Sequence, residues 1–154
     1  MSVRAVFDCM LFLQAATHEA GPAFACFQLV DEGRHMLCLS REILAEVRDV
    51  LGRPKIRRKF PHLTGERVEE FLARATAKGV VLDEVPEAFR YARDPDDEPY
   101  LNLAIAAHAP YLVSRDQDLL DLMAESAFRV RYPGLSIVDP AALLRELRPP
   151  DPAT

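Results

Sequence analysis

The sequence predicts an α/β protein, a three-layer α/β/α sandwich with a mainly parallel sheet of four or five strands. Short apolar runs that are typical of buried strands alternate with segments of helical periodicity, as in a parallel sheet covered on both faces. Two of these runs, 3–7 and 111–115, are each followed directly by an aspartate, Asp8 and Asp116. Because the carboxyl ends of parallel strands border the ligand crevice in open α/β sheets, we expect both acids at the same edge of the sheet.

The first third of the chain predicts two strands and three helices. They are, in order, a strand at 3–7, helices at 11–16 and 22–31, a strand at 36–39 and a helix that follows Ser40 and ends at Leu51. The hydroxyl of Ser40 can accept hydrogen bonds from the first-turn amides of this last helix. Ile43 and Val47 recur at helical spacing and indicate one buried stripe. Glu42 and Glu46 lie one turn apart and share a face.

The remainder of the chain predicts a short basic helix and then further alternation of strands and helices. The basic helix is expected at 55–60, and Thr64 caps another helix that Gly79 ends. The elements after it are a strand at 80–85, a helix at 100–107, a strand at 111–113, a helix at 117–123, a strand at 135–138 and a helix at 140–147. We expect the domain to span 1–148 and the proline-rich tail at 149–154 to be disordered.

The composition is that of a globular protein with one core. Apolar residues make up 49% and charged residues 28% of the 154 residues, and no apolar stretch is long enough to cross a bilayer. The three cysteines are odd in number and lack CxxC spacing, which favours reduced core residues. We expect no cleaved leader, because the first residues lack a basic segment followed by an apolar core. We therefore expect a cytoplasmic protein without a membrane partner. The net charge of −5 disfavours broad electrostatic capture of nucleic acid, although a local basic stretch can still hold phosphates.

Acidic residues at the predicted sheet edge indicate a site for a divalent cation. Like charges repel, so a fold that gathers carboxylates offsets the repulsion with a metal ion or an extra proton. The candidates are Asp8, Glu42, Glu46, Asp94, Asp96, Asp97, Glu98 and Asp116. Some of them have a simpler explanation, because a helix N-terminus attracts acids and a helix face can merely be solvated. Carboxylate oxygens are hard ligands and suit Mg²⁺ or Mn²⁺.

Four motifs follow one another in an order that resembles a known family. The motifs are the strand that ends in Asp8, the capped helix that carries Glu46 before Val-Arg-Asp-Val-Leu-Gly-Arg-Pro-Lys, the run Arg-Asp-Pro-Asp-Asp-Glu, and the run Tyr-Leu-Val-Ser-Arg-Asp-Gln-Asp-Leu-Leu. From about Val3 to Leu147 the chain resembles a PIN domain of the branch related to VapC-type ribonucleases, the toxins of toxin–antitoxin systems. The resemblance implies a PIN-like fold and a Mg²⁺- or Mn²⁺-dependent endoribonuclease that hydrolyses RNA.

The resemblance also implies which residues form the site. The four acids of the family fall on Asp8, Glu46, Asp97 and Asp116, as catalytic residues and metal ligands. Two of these assignments have an alternative: Glu42 lies one turn before Glu46, and Glu98 replaces Asp97 if the following helix begins one residue later. Asp118 resembles an additional acid that some members place beside the fourth.

The chain departs from the family pattern directly after the first acid. The family usually has a small hydroxyl residue and then asparagine there, whereas this sequence has Cys9 and Met10. An asparagine amide can fix neighbouring carboxylates by hydrogen bonds and a thioether cannot. The alternative function is therefore a degenerate PIN domain that binds RNA or protein without cleavage. A small α/β module for another phosphorylated ligand is a third possibility, which the absence of a glycine-rich phosphate loop weakens.

The resemblance suggests three kinds of partner. The basic residues Arg53, Lys55, Arg57, Arg58 and Lys59 either contact RNA or form a solvated face. The apolar segments 11–13 and 22–30 either form a homodimer interface or pack on the sheet of their own chain. A toxin-like member would also bind an antitoxin segment, whose basic side chain would reach into the acidic cleft and compete with the metal.

Overall fold

Five parallel strands form one sheet in the computed structural model, which describes residues 3–147. The strands are β1 (Val3–Phe7), β2 (His35–Ser40), β3 (Val80–Leu82), β4 (Tyr111–Val113) and β5 (Ser136–Val138). They lie side by side in the order β3-β2-β1-β4-β5, and every neighbouring pair is parallel. The predicted parallel sheet of four or five strands is therefore confirmed.

Nine α-helices connect the strands within residues 3–147. They are α1 (Cys9–Thr17), α2 (Pro22–Asp31), α3 (Arg41–Leu51), α4 (Pro54–Lys59), α5 (Gly65–Ala77), α6 (Glu98–Ala106), α7 (Gln117–Asp121), α8 (Ser126–Arg131) and α9 (Pro140–Leu147). A 3-10 turn at Pro95–Asp97 precedes α6, and another at Leu122–Ala124 follows α7. Helices cover both sides of the sheet, which gives the three-layer sandwich expected from the alternation.

Polar side chains set the beginnings of three helices. Asp8, Ser40 and Thr64 each accept a hydrogen bond from the backbone N–H three residues later, at 3.1, 3.0 and 3.2 Å. Each bond satisfies one of the free amides that a helix N-terminus leaves without an internal partner. The first of these caps explains why α1 begins at Cys9 rather than at the predicted residue 11. Asp8 is therefore both a candidate site residue and a structural cap.

The structure differs from the predicted elements by two or more residues at four other places. The strand predicted at 80–85 ends at Leu82, and an irregular loop continues through Asp94. The 3-10 turn makes α6 begin at Glu98, two residues before the predicted start, and α7 ends two residues before the predicted end. The helix α8 was not predicted, because its six residues are too short to show a helical period. The expected tail at 149–154 and the domain boundary at 148 lie outside the described residues.

The strand order places a crevice beside the first strand. The chain runs from β1 outward to β2 and β3, and then returns to build β4 and β5 on the other side of β1. The direction of winding therefore reverses between β1 and β4, which is where open α/β sheets form their ligand crevice. Phe7 and Val113 are register partners at this point, and the Asp8 N–H bonds to the Val113 carbonyl oxygen at 3.2 Å.

The two apolar segments that suggested a dimer interface pack largely within the protein. Leu11 and Phe12 are buried, and Phe27 of α2 lies against the rings of Phe7 and Phe12 at centroid distances of 5.0 and 5.1 Å. Their burial stabilises the core through the hydrophobic effect and aromatic packing. These contacts favour packing of both segments within their own chain. The homodimer stays a prediction that these segments do not support.

The three cysteines lie in the core or against it, as the sequence predicts. Cys26 and Cys38 are buried and Cys9 is half-buried, and all three are free. Among residues 3–147, no helix is both long enough and apolar enough to span a membrane.

Candidate metal centre

Asp8 lies where β1 ends and α1 begins, and its carboxylate is held from two sides. Oδ1 accepts a hydrogen bond from the Leu11 N–H at 3.1 Å, and Oδ2 accepts one from the Ser114 hydroxyl. The residue is only 5% exposed. Because both oxygens are bonded, the carboxylate has a defined orientation toward the crevice.

Ser114 couples the first acid to the acid that follows β4. Its fully buried hydroxyl donates to Asp8 and accepts a hydrogen bond from the Asp116 N–H at 2.9 Å. Asp116 in turn caps α7, since its Oδ1 accepts from the Asp118 N–H at 2.8 Å. Asp8 and Asp116 thus lie at the same edge of the sheet, as their positions after two apolar runs predict. The sequence analysis missed Ser114, although a hydroxyl between a buried strand and an acid was the available signal.

Three carboxylates from two segments meet in this crevice. Carboxylate oxygens of Asp94, Asp97 and Asp116 all lie within 4.8 Å of one another. The 3-10 turn brings the first two together, because the Asp97 N–H bonds to the Asp94 carbonyl oxygen at 3.1 Å. Oδ2 of Asp97 is buried and has no hydrogen-bond partner within the described part of the chain. Asp94 is one of the candidate acids of the sequence but not one of the four that the family resemblance implies.

All four predicted site residues line one cleft of about 300 Å³. Glu46 reaches it from α3, whereas Glu42, one turn earlier, is exposed and does not line it. Glu98 does not line it either, and its Oε1 accepts a hydrogen bond from the Tyr91 N–H at 2.6 Å. The geometry therefore favours Glu46 over Glu42 and Asp97 over Glu98 as members of the site.

Three further side chains form the wall of the cleft beside Glu46. Cys9 is half-buried and Met10 is 50% exposed, so the two residues that depart from the family pattern lie at the site itself. Tyr100 of α6 is only 1% exposed, and its hydroxyl interacts with Glu46 and Cys9. This interaction opposes the rise in the pKa of both groups that burial causes.

Burial and mutual repulsion make the site acids hard to ionise. Burial raises the pKa of Asp8 to about 6, with a contribution from the neighbouring Asp116, and the hydrogen bonds from Ser114 and Leu11 only partly oppose this. Burial, followed by the adjacent Asp94 and Asp116, also raises the pKa of Asp97 well above its ordinary range. Both shifts describe carboxylates that lack a compensating positive charge.

The donor set fits a hard divalent cation. Asp96 and Arg115 line the cleft together with the four predicted acids. Within residues 3–147, no arginine, lysine or histidine forms a salt bridge with these five acids or with the adjoining Asp94. The unpartnered Oδ2 of Asp97 is available as a ligand atom. Oxygen ligands of this kind are what Mg²⁺ and Mn²⁺ prefer, and a bound cation would remove the repulsion among the carboxylates.

A basic segment, Arg53 and α4, follows the helix α3 that carries Glu46. Arg53 pairs with Asp49 at 3.2 Å, and its charge also lowers the pKa of Glu46, against the larger effect of burial. In the described part of the chain, none of the four cations of α4 forms a salt bridge with an acid. This segment therefore presents positive charge that the protein does not itself neutralise.

Comparison with known proteins identifies a family and two similar folds. Residues 4–118 match a family described as "PIN domain". The fold is similar to that in the crystal structure of VapBC2 from Rickettsia felis bound to a promoter DNA fragment, with a TM-score of 0.57, 15% identity, and coverage of 89% of this chain and 98% of the other. It is also similar to PAE2754 from Pyrobaculum aerophilum, with a TM-score of 0.56, 18% identity, and coverage of 94% and 89%. No curated protein matches the sequence significantly.

Proposed function

Because this chain belongs to the PIN domain family, we propose that it is a metal-dependent endoribonuclease and the toxin of a toxin–antitoxin pair. The observation that carries the proposal is the convergence of Asp8, Glu46, Asp97 and Asp116 on one cleft in which no protein cation pairs with them. Asp94 joins this set through the 3-10 turn. A site of this kind supports phosphodiester hydrolysis with Mg²⁺ or Mn²⁺ as the cofactor.

The acids of the cleft would hold a metal ion, and Ser114 would fix the relative positions of two of these acids. Asp8, Asp97 and Asp116 would hold the ion with Glu46, because their oxygens border the same cavity. A divalent ion bound there would supply a more acidic bound water and neutralise charge on the scissile phosphate. Ser114 would keep the first and fourth acids in register, because its hydroxyl bonds to both segments.

The arrangement supports cleavage over the degenerate alternative. Met10 cannot supply the hydrogen bonds of an asparagine amide, but it lies half-exposed at the rim of the cleft. The two oxygens of Asp8 are already oriented by Leu11 and Ser114. The departure at Cys9 and Met10 therefore leaves the first acid positioned without the residue that the family usually uses.

We propose that the basic segment of α4 holds the RNA backbone beside the cleft. The overall charge of −5 does not attract RNA, so affinity must come from a local cluster of cations. Arg58 and Lys59 are exposed, and no acid of the described residues pairs with them. Replacing both by glutamine should weaken RNA binding and reduce the slope of log affinity against log salt by about two. Arg145→Gln on α9 is the matched control, because that exposed arginine does not line the cleft.

We propose an antitoxin as the protein partner, in keeping with the similarity to VapBC2. A groove of about 520 Å³ lies between α1, α2 and α5, with Phe24, Phe27 and Phe71 among its apolar lining residues. The charged residues of its lining are four acids, Glu19, Asp31, Glu32 and Glu70, and two arginines, Arg67 and Arg74, and this excess of acids favours an amphipathic segment with basic side chains. Co-expression with a small neighbouring reading frame should give a complex with suppressed nuclease activity. Glu70→Arg should weaken that complex, and failure to co-purify would contradict this partner.

A nuclease assay with defined RNA tests the proposed function. The protein should cleave RNA with Mn²⁺ and lose activity in EDTA, whereas Asp116→Asn purified in parallel should be inactive and so exclude a contaminating ribonuclease. Binding of RNA without cleavage under every metal condition would instead support the degenerate PIN domain.

A further inference from the structure

Two segments of the chain, separated by α6 and β4, bring carboxylates together at the cleft. Asp94 and Asp97 follow an irregular stretch at 83–94, and Asp116 begins α7 on the far side of β4. Their oxygens nevertheless lie within 4.8 Å of one another. Because like charges at this distance repel, other contacts must hold the loop against α7.

Most contacts of the loop lead to α6 or α8 rather than to α7. Asn102 of α6 accepts hydrogen bonds from the N–H groups of Ala88 and Phe89 at 3.1 and 2.8 Å, and Arg131 of α8 donates to the Ala88 carbonyl oxygen at 3.0 Å. These bonds place the early part of the loop. The Tyr91 N–H also bonds to Oε1 of Glu98, at the start of α6. None of these bonds reaches α7.

Two side chains tie the end of the loop to α7 within residues 3–147. The Tyr91 hydroxyl donates to the Asp118 carbonyl oxygen at 2.7 Å. The guanidinium of Arg93 forms salt bridges with Asp118 at 2.9 Å and with Asp121 at 3.2 Å. Since Arg93 directly precedes Asp94, these ion pairs lie next to the point at which the loop places Asp94 near Asp97 and Asp116.

Asp118 contacts Asp116 through its backbone and Arg93 through its side chain. Its backbone N–H donates to Oδ1 of Asp116, and its carboxylate binds Arg93. The carboxylate does not belong to the close group formed by Asp94, Asp97 and Asp116. One residue of α7 therefore orients the fourth acid with its backbone and anchors the loop with its side chain.

We propose that Arg93 is a positioning residue for the metal centre, and that Asp118 is its anchor and not a metal ligand. The proposal rests on the proposed function in that the acids of the cleft hold a divalent ion. Arg93 offsets their repulsion indirectly, because it fastens the loop that carries Asp94 and Asp97 to the helix that begins after Asp116. A guanidinium suits this task, since it can bind two carboxylates at once in a fixed geometry.

Calorimetric titration with Mn²⁺ tests the positioning role. Arg93→Met should weaken Mn²⁺ binding about three- to fivefold, the size expected from half-exposed ion pairs, and Arg93→Lys should recover part of the loss. Arg90→Met is the matched control, because Arg90 lies on the same loop with an 84% exposed side chain and pairs only with Glu87 at 3.7 Å. The control should bind Mn²⁺ like the wild type.

A double variant distinguishes an anchor from a ligand. If Asp118 acts through Arg93, Asp118→Asn should weaken Mn²⁺ binding no more than Arg93→Met, and the double variant should be no weaker than the single ones. Unchanged affinity in Arg93→Met would overturn the proposal. A larger loss in Asp118→Asn that adds to that of Arg93→Met would also overturn it, because Asp118 would then bind the metal directly.

Hydrogen exchange of the metal-free protein separates this proposal from the proposed function. Amides at 91–97 should exchange faster in Arg93→Met than in the wild type and in Arg90→Met, at nearly unchanged melting temperature. Unchanged exchange would overturn the positioning role whatever the wild type binds. A wild type without affinity for Mn²⁺ would contradict the proposed function, whereas faster exchange in the variant would still support the attachment by Arg93.

Discussion

Carboxylates in the acidic cleft and on the outer surface of α3 and α5 have pKa values shifted in opposite directions. On the surface, Glu69 pairs with Arg48 at 2.7 Å, and this contact lowers the pKa of the carboxyl. In the cleft, burial and a neighbouring acid raise the pKa of Asp8, and no basic side chain of the described residues forms a salt bridge with it. The protein itself therefore neutralises Glu69 but not Asp8, and a cation from solution would offset the cost of the buried charge.

The largest effect is expected from removing the charge of the first acid. Asp8→Asn should abolish cleavage and Mn²⁺ binding, yet it should stabilise the metal-free protein at neutral pH. A buried carboxyl whose pKa rises from 3.8 to about 6 on folding costs roughly 3 kcal/mol there. The amide oxygen of asparagine can still accept from the Leu11 N–H, and its NH2 group can donate to the Ser114 hydroxyl, which reverses that bond. Urea denaturation in EDTA measures this difference. A variant that is less stable than the wild type would contradict the account of the cleft.

The difference in stability between the wild type and Asp8→Asn should depend on pH, which sharpens the comparison. The pKa of Asp8 is higher in the folded than in the unfolded protein, so its contribution to stability is fully present below about pH 4 and is lost as the pH rises through about 6. The advantage of Asp8→Asn should therefore be near zero at pH 4 and reach its full size by pH 7. Denaturant titrations of both proteins in EDTA at each pH provide the measurement. An advantage that shrinks as the pH rises would break the comparison.

Addition of a divalent ion should remove the disadvantage of the wild-type cleft. At a free Mn²⁺ concentration 100 times the dissociation constant, binding to the folded state alone stabilises it by about 2.7 kcal/mol. The melting temperature of the wild type should rise accordingly, whereas that of Asp97→Asn should rise much less. Equal increases in the two proteins would place the ion elsewhere.

Glu46 and Glu42 form a matched pair one turn apart on α3. Glu46 lines the cleft and burial raises its pKa, whereas Glu42 is exposed and does not line the cleft. We expect Glu46→Gln to weaken Mn²⁺ binding about tenfold, which corresponds to about 1.4 kcal/mol, and Glu42→Gln to change it less than twofold. The reverse ranking in a calorimetric titration would exchange their assignments.

The smallest effect is expected on the outer surface. Arg48→Met removes the partner of Glu69, but exposed ion pairs of this kind contribute only about 0–1 kcal/mol. The variant should lose less than 1 kcal/mol of stability, with unchanged Mn²⁺ affinity. A loss as large as the gain from Asp8→Asn would show that the two regions do not differ as proposed.

Acids that directly follow buried strands could be placed from the sequence, and acids in irregular segments could not. Asp8 and Asp116 follow β1 and β4, and parallel strands bring their carboxyl ends to one edge whatever the loops do. Asp94 joins them only through a 3-10 turn and the contacts of a long loop. Those contacts come from residues distant in sequence, such as Asp118 on α7, so no local pattern reveals them.

The same distinction explains the elements that the sequence analysis misplaced. Helices with a side-chain cap and an apolar stripe, such as α3 and α5, were expected where the structure has them, because both signals are local. The six residues of α8 carry neither signal, and Phe128 is their only buried residue. Its ring packs on Phe89 at a centroid distance of 5.3 Å, so the position of α8 depends on the distant loop.

The most direct test of the metal centre is anomalous X-ray scattering from crystals of the wild-type protein grown with Mn²⁺. The account predicts a peak in the cleft bordered by Asp8, Asp97 and Asp116, and no such peak in crystals of Asp8→Asn grown under the same conditions. Manganese peaks only at other acidic positions of the surface, with none in the cleft, would contradict it.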